Sequence, residues 1–129
     1  MKVLRRSDIA REYLPGRMLQ KSVGRGSASA SEKMTICFAR YSEESGPMEP
    51  HNHAEETVYI IDAVDGWVRI GPDKENLPEK VMLEEGMTLH FPELEWHVFE
   101  VGKGGFIDAL CIYGQVDNIR PEEILQQKG

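Results

Sequence analysis

Between residues 57 and 113, short apolar runs alternate with glycine- and proline-bearing turns, and this punctuation directs the chain to an all-β fold. The runs are 57–61 (TVYII), 67–70 (WVRI), 80–83 (KVML), 87–91 (MTLHF) and 97–101 (HVFEV). Each is too short for a core helix, and β-branched and aromatic residues recur in them. Turn signals lie at Ser45-Gly46-Pro47, Asp65-Gly66, Gly71-Pro72-Asp73, Glu85-Gly86 and Gly102 through Gly105. The Asp65-Gly66 pair between apolar runs predicts a hairpin. Helix is expected only near the ends. Ser7 can cap a short turn through Glu12, and Pro121-Glu122-Glu123 before Ile124 and Leu125 predicts a short C-terminal helix. Many short strands with terminal helical segments make a barrel or sandwich.

Two further strands, 33–41 (KMTICFARY) and 105–113 (GFIDALCIY), are apolar on both faces. Met34, Ile36 and Phe38 lie on one side of the first, Cys37 and Ala39 on the other. Such strands are buried twice, inside a sandwich or at a subunit interface, and the excess of apolar surface predicts a homodimer. Arg40 shares the face of Ile36 and Phe38. Its guanidinium either clamps a substrate carboxylate or ends the strand in solvent.

At 129 residues the chain is long enough for one domain and one core. Hydrophobic residues make up 40% and charged residues 29%, which excludes disorder as the dominant state. The net charge of −7 argues against nucleic acid as a partner, because polyanion binding needs a basic face. Lys2, Arg5, Arg6, Arg11, Arg17, Lys21 and Arg25 are dispersed and read as solvated surface. No apolar run reaches membrane-spanning length, and residues 1–12 lack a secretory apolar stretch, so a cytoplasmic protein without membrane association is expected. Cys37 and Cys111, each within a buried strand, are expected as reduced core residues.

The chemistry-bearing residues are the histidines. His51 and His53 share one face of an extended segment and can bind a single ion. Glu56 joins them only if the chain bulges at Ala54-Glu55; strict alternation would turn Glu55 and Thr57 to the ion instead. His97 follows the turn Pro92-Glu93-Leu94-Glu95-Trp96, which can swing its imidazole inward. His90 shares parity with Thr88 and falls outside the cluster. Tyr59 and Phe99 are expected to line the interior, with Trp96 over the pocket. Three neutral imidazoles and one carboxylate suit a divalent transition metal.

The framing of these residues resembles the cupin superfamily. The first cupin motif, G-x5-H-x-H-x3,4-E-x6-G, is matched by Gly46 through Ala63, whose end resembles the family's common EE-x-x-YVLEG, with YIIDA in place of YVLEG. The second, G-x5-P-x-G-x2-H-x3-N, is matched by Gly86, Pro92 and His97. Departures are one residue fewer before His51, one fewer between His53 and Glu56, and Ala63, Leu94 and Val101 at the family's two glycines and asparagine.

The resemblance covers residues 46–101 and implies a cupin-type double-stranded β-helix, or jelly-roll barrel, occupying residues 1–129 as a single domain. Residues 1–32 would form an N-terminal arm, 33–115 the barrel, and 116–129 a tail. It implies His51, His53, Glu56 and His97 as ligands of one divalent metal (Fe, Mn, Ni or Zn), with three histidines alone as the other ligand set. Tyr59 or Arg40 would orient a small-molecule ligand. The implied activity is that of a metal-dependent oxygenase, isomerase or lyase on a small polar metabolite; the other reading is a non-catalytic metal-containing binding module. Small cupins also pair as homodimers.

Overall fold

The structure, a computed structural model, describes residues 1–116. Strands follow one another along the chain: β1 (Glu12–Leu14), β2 (Arg17–Val23), β3 (Thr35–Ser42), β4 (Glu56–Gly71), β5 (Glu79–Met82), β6 (Thr88–Phe91) and β7 (Trp96–Tyr113). Single 3-10 turns occur at Arg6–Asp8 and Glu43–Ser45. The first replaces the longer turn expected from Ser7 to Glu12, and the helix expected at 121–125 lies outside the described residues. Every strand pairing is antiparallel, in the order β1-β2-β3-β7-β4-β5, with β6 also on β4. The all-β jelly-roll expectation is met. No helix among the described residues is long and apolar enough to cross a membrane.

Two of the expected strand pairs are single long strands. Runs 57–61 and 67–70 are both β4, and 97–101 and 105–113 are both β7. The hairpin expected at Asp65-Gly66 is therefore a corner within β4. There Val64 pairs with Phe106 but Gly66 pairs with Val101, so Asp65 opposes the whole Gly102–Gly105 segment. Asp65 adopts φ +49°, the left-handed geometry that a type I′ turn would also use. The local preference is the same; the outcome differs because both sides of the corner pair with β7, and a bulge satisfies them. A β-carbon on Gly66 would collide with the Ile107 side chain, so the close crossing at this corner demands glycine.

The corner bends the ribbon so that its two halves face one core. Val58 and Ile60 come from the first half of β4, Val68 from the second, and Phe99, Ile107 and Ala109 from β7; all are buried together. From β3, Cys37, Ala39 and Tyr41 join them. The opposite face of β3, with Ile36, Phe38 and Arg40, is half-buried.

Part of this second apolar face is covered by the chain's own N-terminal segment. Arg6 lies over the Phe38 ring, 4.5 Å from its centroid, and grips Asp108 of β7 in two hydrogen bonds of 2.9 and 2.6 Å. It also donates to Gln20 Oε1, and Gln20 returns bonds to the carbonyls of Arg6 and Ile9. This network satisfies Gln20, which is only 2% exposed.

Candidate metal centre

His51 reaches the site through its backbone. Its N–H donates to the His97 carbonyl at 3.0 Å, and the His97 N–H donates to the His51 carbonyl at 2.9 Å. This isolated bridge docks the loop before β4 onto the start of β7. Two further bonds hold the flanks: Asn52 Nδ2 to the Leu94 carbonyl at 3.0 Å, and the Leu94 N–H to the His53 carbonyl at 2.8 Å. Leu94 sits at φ +68°, which explains why related motifs carry glycine at this point.

The three imidazoles meet. Their ring centroids are 5.2 Å apart for His51 and His53, 4.4 Å for His51 and His97, and 4.8 Å for His53 and His97. Ligand atoms from all three lie within 4.8 Å of one another. Each Nδ1 is 2.8–3.0 Å from a backbone carbonyl: Glu49 for His51, Ala54 for His53, Glu95 for His97. A carbonyl oxygen only accepts, so each Nδ1 carries a proton, and each ring, when neutral, presents a lone pair at Nε2. Anchoring of the far nitrogen by a backbone carbonyl is the arrangement that orients metal-bound histidines.

Titration favours the ligand form for two rings. Burial, reinforced by the neighbouring imidazoles, pushes His97 down to about 3. Burial likewise lowers His51. Burial also pulls on His53, but the hydrogen bond and charge of Glu56 outweigh it and hold His53 above the ordinary histidine value. Neutral imidazoles are what a metal requires.

Glu56 opens β4 and is 3% exposed, with Oε1 3.3 Å from His53 Nε2. Donors held ~2.1 Å from one ion at tetrahedral or octahedral angles lie roughly 3.0–3.4 Å apart, so this spacing suits two ligands of a shared metal. Glu55 points out and meets His90 Nε2 at 2.6 Å, both side chains more than half exposed. Parity breaks because Ala54 and Glu55 lie outside the strand ladder, which begins only at Glu56.

His97 provides a direct test of fit. Its Nε2 is buried and has no hydrogen-bond partner, while its ring stacks on Phe91 at 4.2 Å. An unsatisfied buried acceptor costs about 1–3 kcal/mol. A metal ion held by His51, His53 and His97 would satisfy it, and these three donors fit one.

The residues expected to orient a substrate are elsewhere. Tyr59 alternates with buried Val58 and Ile60 and faces outward, 41% exposed. Arg40 lies on the outer face of β3 with its guanidinium over Phe106, 4.3 Å from the centroid. Grouping Arg40 with Ile36 and Phe38 was right, but that face is the outer one. Phe99 does face inward, whereas Trp96 is absent from the cavity lining.

The cavity beside the imidazoles measures about 500 Å³, large enough for a metabolite. His51, His53 and Glu56 line it, together with residues that sequence reasoning had placed elsewhere or left unassigned: Arg17, Lys21, Tyr41 and Tyr113. Arg17, Leu19 and Lys21 alternate with buried Met18, Gln20 and Ser22, so β2 turns its charged face to the cavity. The reason is long-range. Met18 and Gln20 pair with Arg40 and Phe38 on the outer face, where the N-terminal segment covers Gln20. The period-two pattern in 17–22 was the available signal. Tyr41 stacks on Phe99 at 4.7 Å, Tyr113 lies against His53 at 5.3 Å, and burial raises both phenols well above their ordinary values. Cys37 and Cys111 are register partners on adjacent strands, buried and unbridged, and also line the cavity.

No protein-family model matches the chain, and no curated protein matches it by sequence. Solved structures do. The polyketide cyclase RemF from Streptomyces resistomycificus superposes with a TM-score of 0.68 at 19% identity, covering 100% of this chain and 94% of that one. Ectoine synthase from P. lautus gives 0.69 at 13% identity, covering 100% and 87%. Bacillus subtilis oxalate decarboxylase, studied for its Mn(II) centres, gives 0.63 at 20% identity, covering 88% of this chain and 29% of that one. These neighbours share the cupin architecture, and identities this low speak to fold alone. The chain is a small cupin-fold protein.

Proposed function

We propose that this protein is a metal-dependent enzyme that transforms a small polar metabolite inside the barrel, with His51, His53, His97 and Glu56 holding one divalent ion. The observation that carries this reading is the buried, unpartnered Nε2 of His97, aimed at the same point as the anchored rings of His51 and His53. Among the structural neighbours, Fe(II)-HppE and the Mn(II) centres of oxalate decarboxylase support Fe or Mn ahead of Ni and Zn. When bound, such an ion supplies Lewis acidity or a redox centre with open coordination positions.

The chain's own residues do the rest. The carbonyls of Glu49, Ala54 and Glu95 fix the imidazole orientations. Phe91 and Phe99 wall the His97 ring from water. Tyr41 and Tyr113 keep their phenolic protons, so both can donate hydrogen bonds to a ligand in the cavity. Exposed Tyr59 and Ile112 on the outer face support a homodimer, to be checked by light scattering.

Elemental analysis of protein from an untreated host tests the metal reading. About one Fe or Mn per chain is expected, lost in His97→Ala and kept in His90→Ala. Protein that stays metal-free after incubation with each candidate ion, with no change in melting on chelation, overturns it.

A further inference from the structure

We propose that Arg17, assisted by Lys21, is the anion-binding end of the cavity, and that the substrate is a small organic carboxylate lying between Arg17 and the imidazole cluster. This rests on the reading of that cluster as a metal centre and adds the substrate class.

The cavity lining carries two cations, Arg17 and Lys21, alongside the carboxylates of Glu49 and Glu56, whereas acids outnumber bases in the chain as a whole. Among the described residues, Arg17 and Lys21 are the only lysine or arginine residues lining it, in a protein of net charge −7. Both occupy the inward face of β2, with Leu19 between them. They share the cavity with His51, His53 and Glu56, so a ligand bound at one set of groups is in the same enclosure as the other.

Arg17 is poorly used within the protein. A guanidinium offers five N–H donors, and among the described residues its one hydrogen bond is a long Nη1 contact of 3.4 Å to the Pro15 carbonyl. Asp108, by contrast, fully engages Arg6 on the outer face. Lys21 is 3.6 Å from Glu12, with both side chains over 40% exposed, a pairing that competes weakly with a ligand.

A planar guanidinium fork matches the two oxygens of a carboxylate and holds them in one orientation. The phenols of Tyr41 and Tyr113 can donate to the ligand's remaining oxygens. The carboxylates of Glu49 and Glu56 limit how much negative charge the cavity accepts, which favours a mono- or dicarboxylate over a polyphosphate.

The test is calorimetric titration of the Mn-loaded protein with malonate, succinate, methylphosphonate and neutral 1,3-propanediol. At least one carboxylate should bind and the diol should not. Arg17→Gln should weaken carboxylate binding about 10- to 100-fold, the range for losing hydrogen bonds to a charged group, with metal content and melting temperature unchanged. Arg17→Lys, which keeps the charge but not the fork, should fall between wild type and Arg17→Gln. Unchanged binding in Arg17→Gln, equal binding of the diol, or tighter binding of methylphosphonate than of either carboxylate overturns the proposal. So does failure of both carboxylates to bind. In those cases one metal per chain leaves the metal reading intact. Arg17-dependent carboxylate binding by a protein that takes up no metal would instead sink the metal reading and retain the anion site.

Discussion

Replacing His97 with leucine should stabilise the metal-free protein while abolishing its response to metal, a reversal of sign that an ordinary core histidine would not show. The magnitude follows from the surroundings of the ring. Leucine has nearly the volume of imidazole and takes its place against Phe91 and Phe99. It removes a buried Nε2 without a partner, whose burial costs about 1–3 kcal/mol. It also removes the Nδ1 bond to the Glu95 carbonyl, worth about 1 kcal/mol, and leaves that carbonyl at a half-buried position open to water. The net expectation is a gain of about 0–2 kcal/mol in the chelated state, or up to roughly 7 °C in melting temperature for a chain of this size. In the metal-loaded state the order reverses. Wild-type protein gains about 4 kcal/mol when free metal is a thousandfold above its dissociation constant, and the variant gains nothing. The assay is thermal melting of both proteins with excess chelator and with excess Mn or Fe, supported by urea unfolding. A leucine variant more than 1 kcal/mol less stable than chelated wild type would refute the argument that Nε2 is an uncompensated polar atom. A variant that still melts higher with metal would remove His97 from the ligand set.

Further outcomes follow from the same geometry. In metal-free protein, His97 is held at about 3 against an ordinary value of 6.5, so the unfolded chain takes up a proton that the folded chain refuses. Stability should therefore fall as pH drops below 6.5, by up to about 1.4 kcal/mol per unit, with His51 acting in the same sense. His53 acts oppositely: its raised value contributes fully below 6.5 and is lost as pH rises through its folded value. Urea midpoints at pH 7 and pH 5 should show the loss, and His97→Leu should flatten it. Glu56→Gln should lower metal affinity at least tenfold while Glu55→Gln leaves it unchanged, measured by competition with a chelating dye; the opposite order would reassign the carboxylate. Arg6→Ala should destabilise by about 2–3 kcal/mol, since it strands Asp108 and uncovers Phe38, and a change below 0.5 kcal/mol would show that the N-terminal segment contributes little.

The histidines were legible because their chemistry and framing are local: two lie one residue apart, and Gly86 and Pro92 prepare the turn before His97. Glu56 was legible only conditionally, since whether the ladder begins at residue 55 or 56 depends on pairing with β6 and β7. Arg40 and Tyr59 show a different limit. Alternation groups side chains correctly but leaves open which group faces inward when both faces carry apolar residues, as in β3. Arg17 was hidden for the same reason. The buried partner of its strand's other face is a polar Gln20, whose burial depends on Arg6 and the carbonyl of Ile9, contacts that no local pattern contains. The Asp65-Gly66 corner shows that a turn signal specifies backbone geometry, not chain reversal.

The bridge between His51 and His97 also sets an order of events during folding. The two residues are far apart along the chain, and the mutual backbone bonds that join them close a loop containing the whole of β4, β5 and β6. Loop closure on that scale is entropically costly until the enclosed strands have paired. An ion held by the three histidines would therefore join a barrel whose strands have largely paired, unlike the ion of a zinc finger, and its uptake is expected as a late step, separable in time from the collapse of the core.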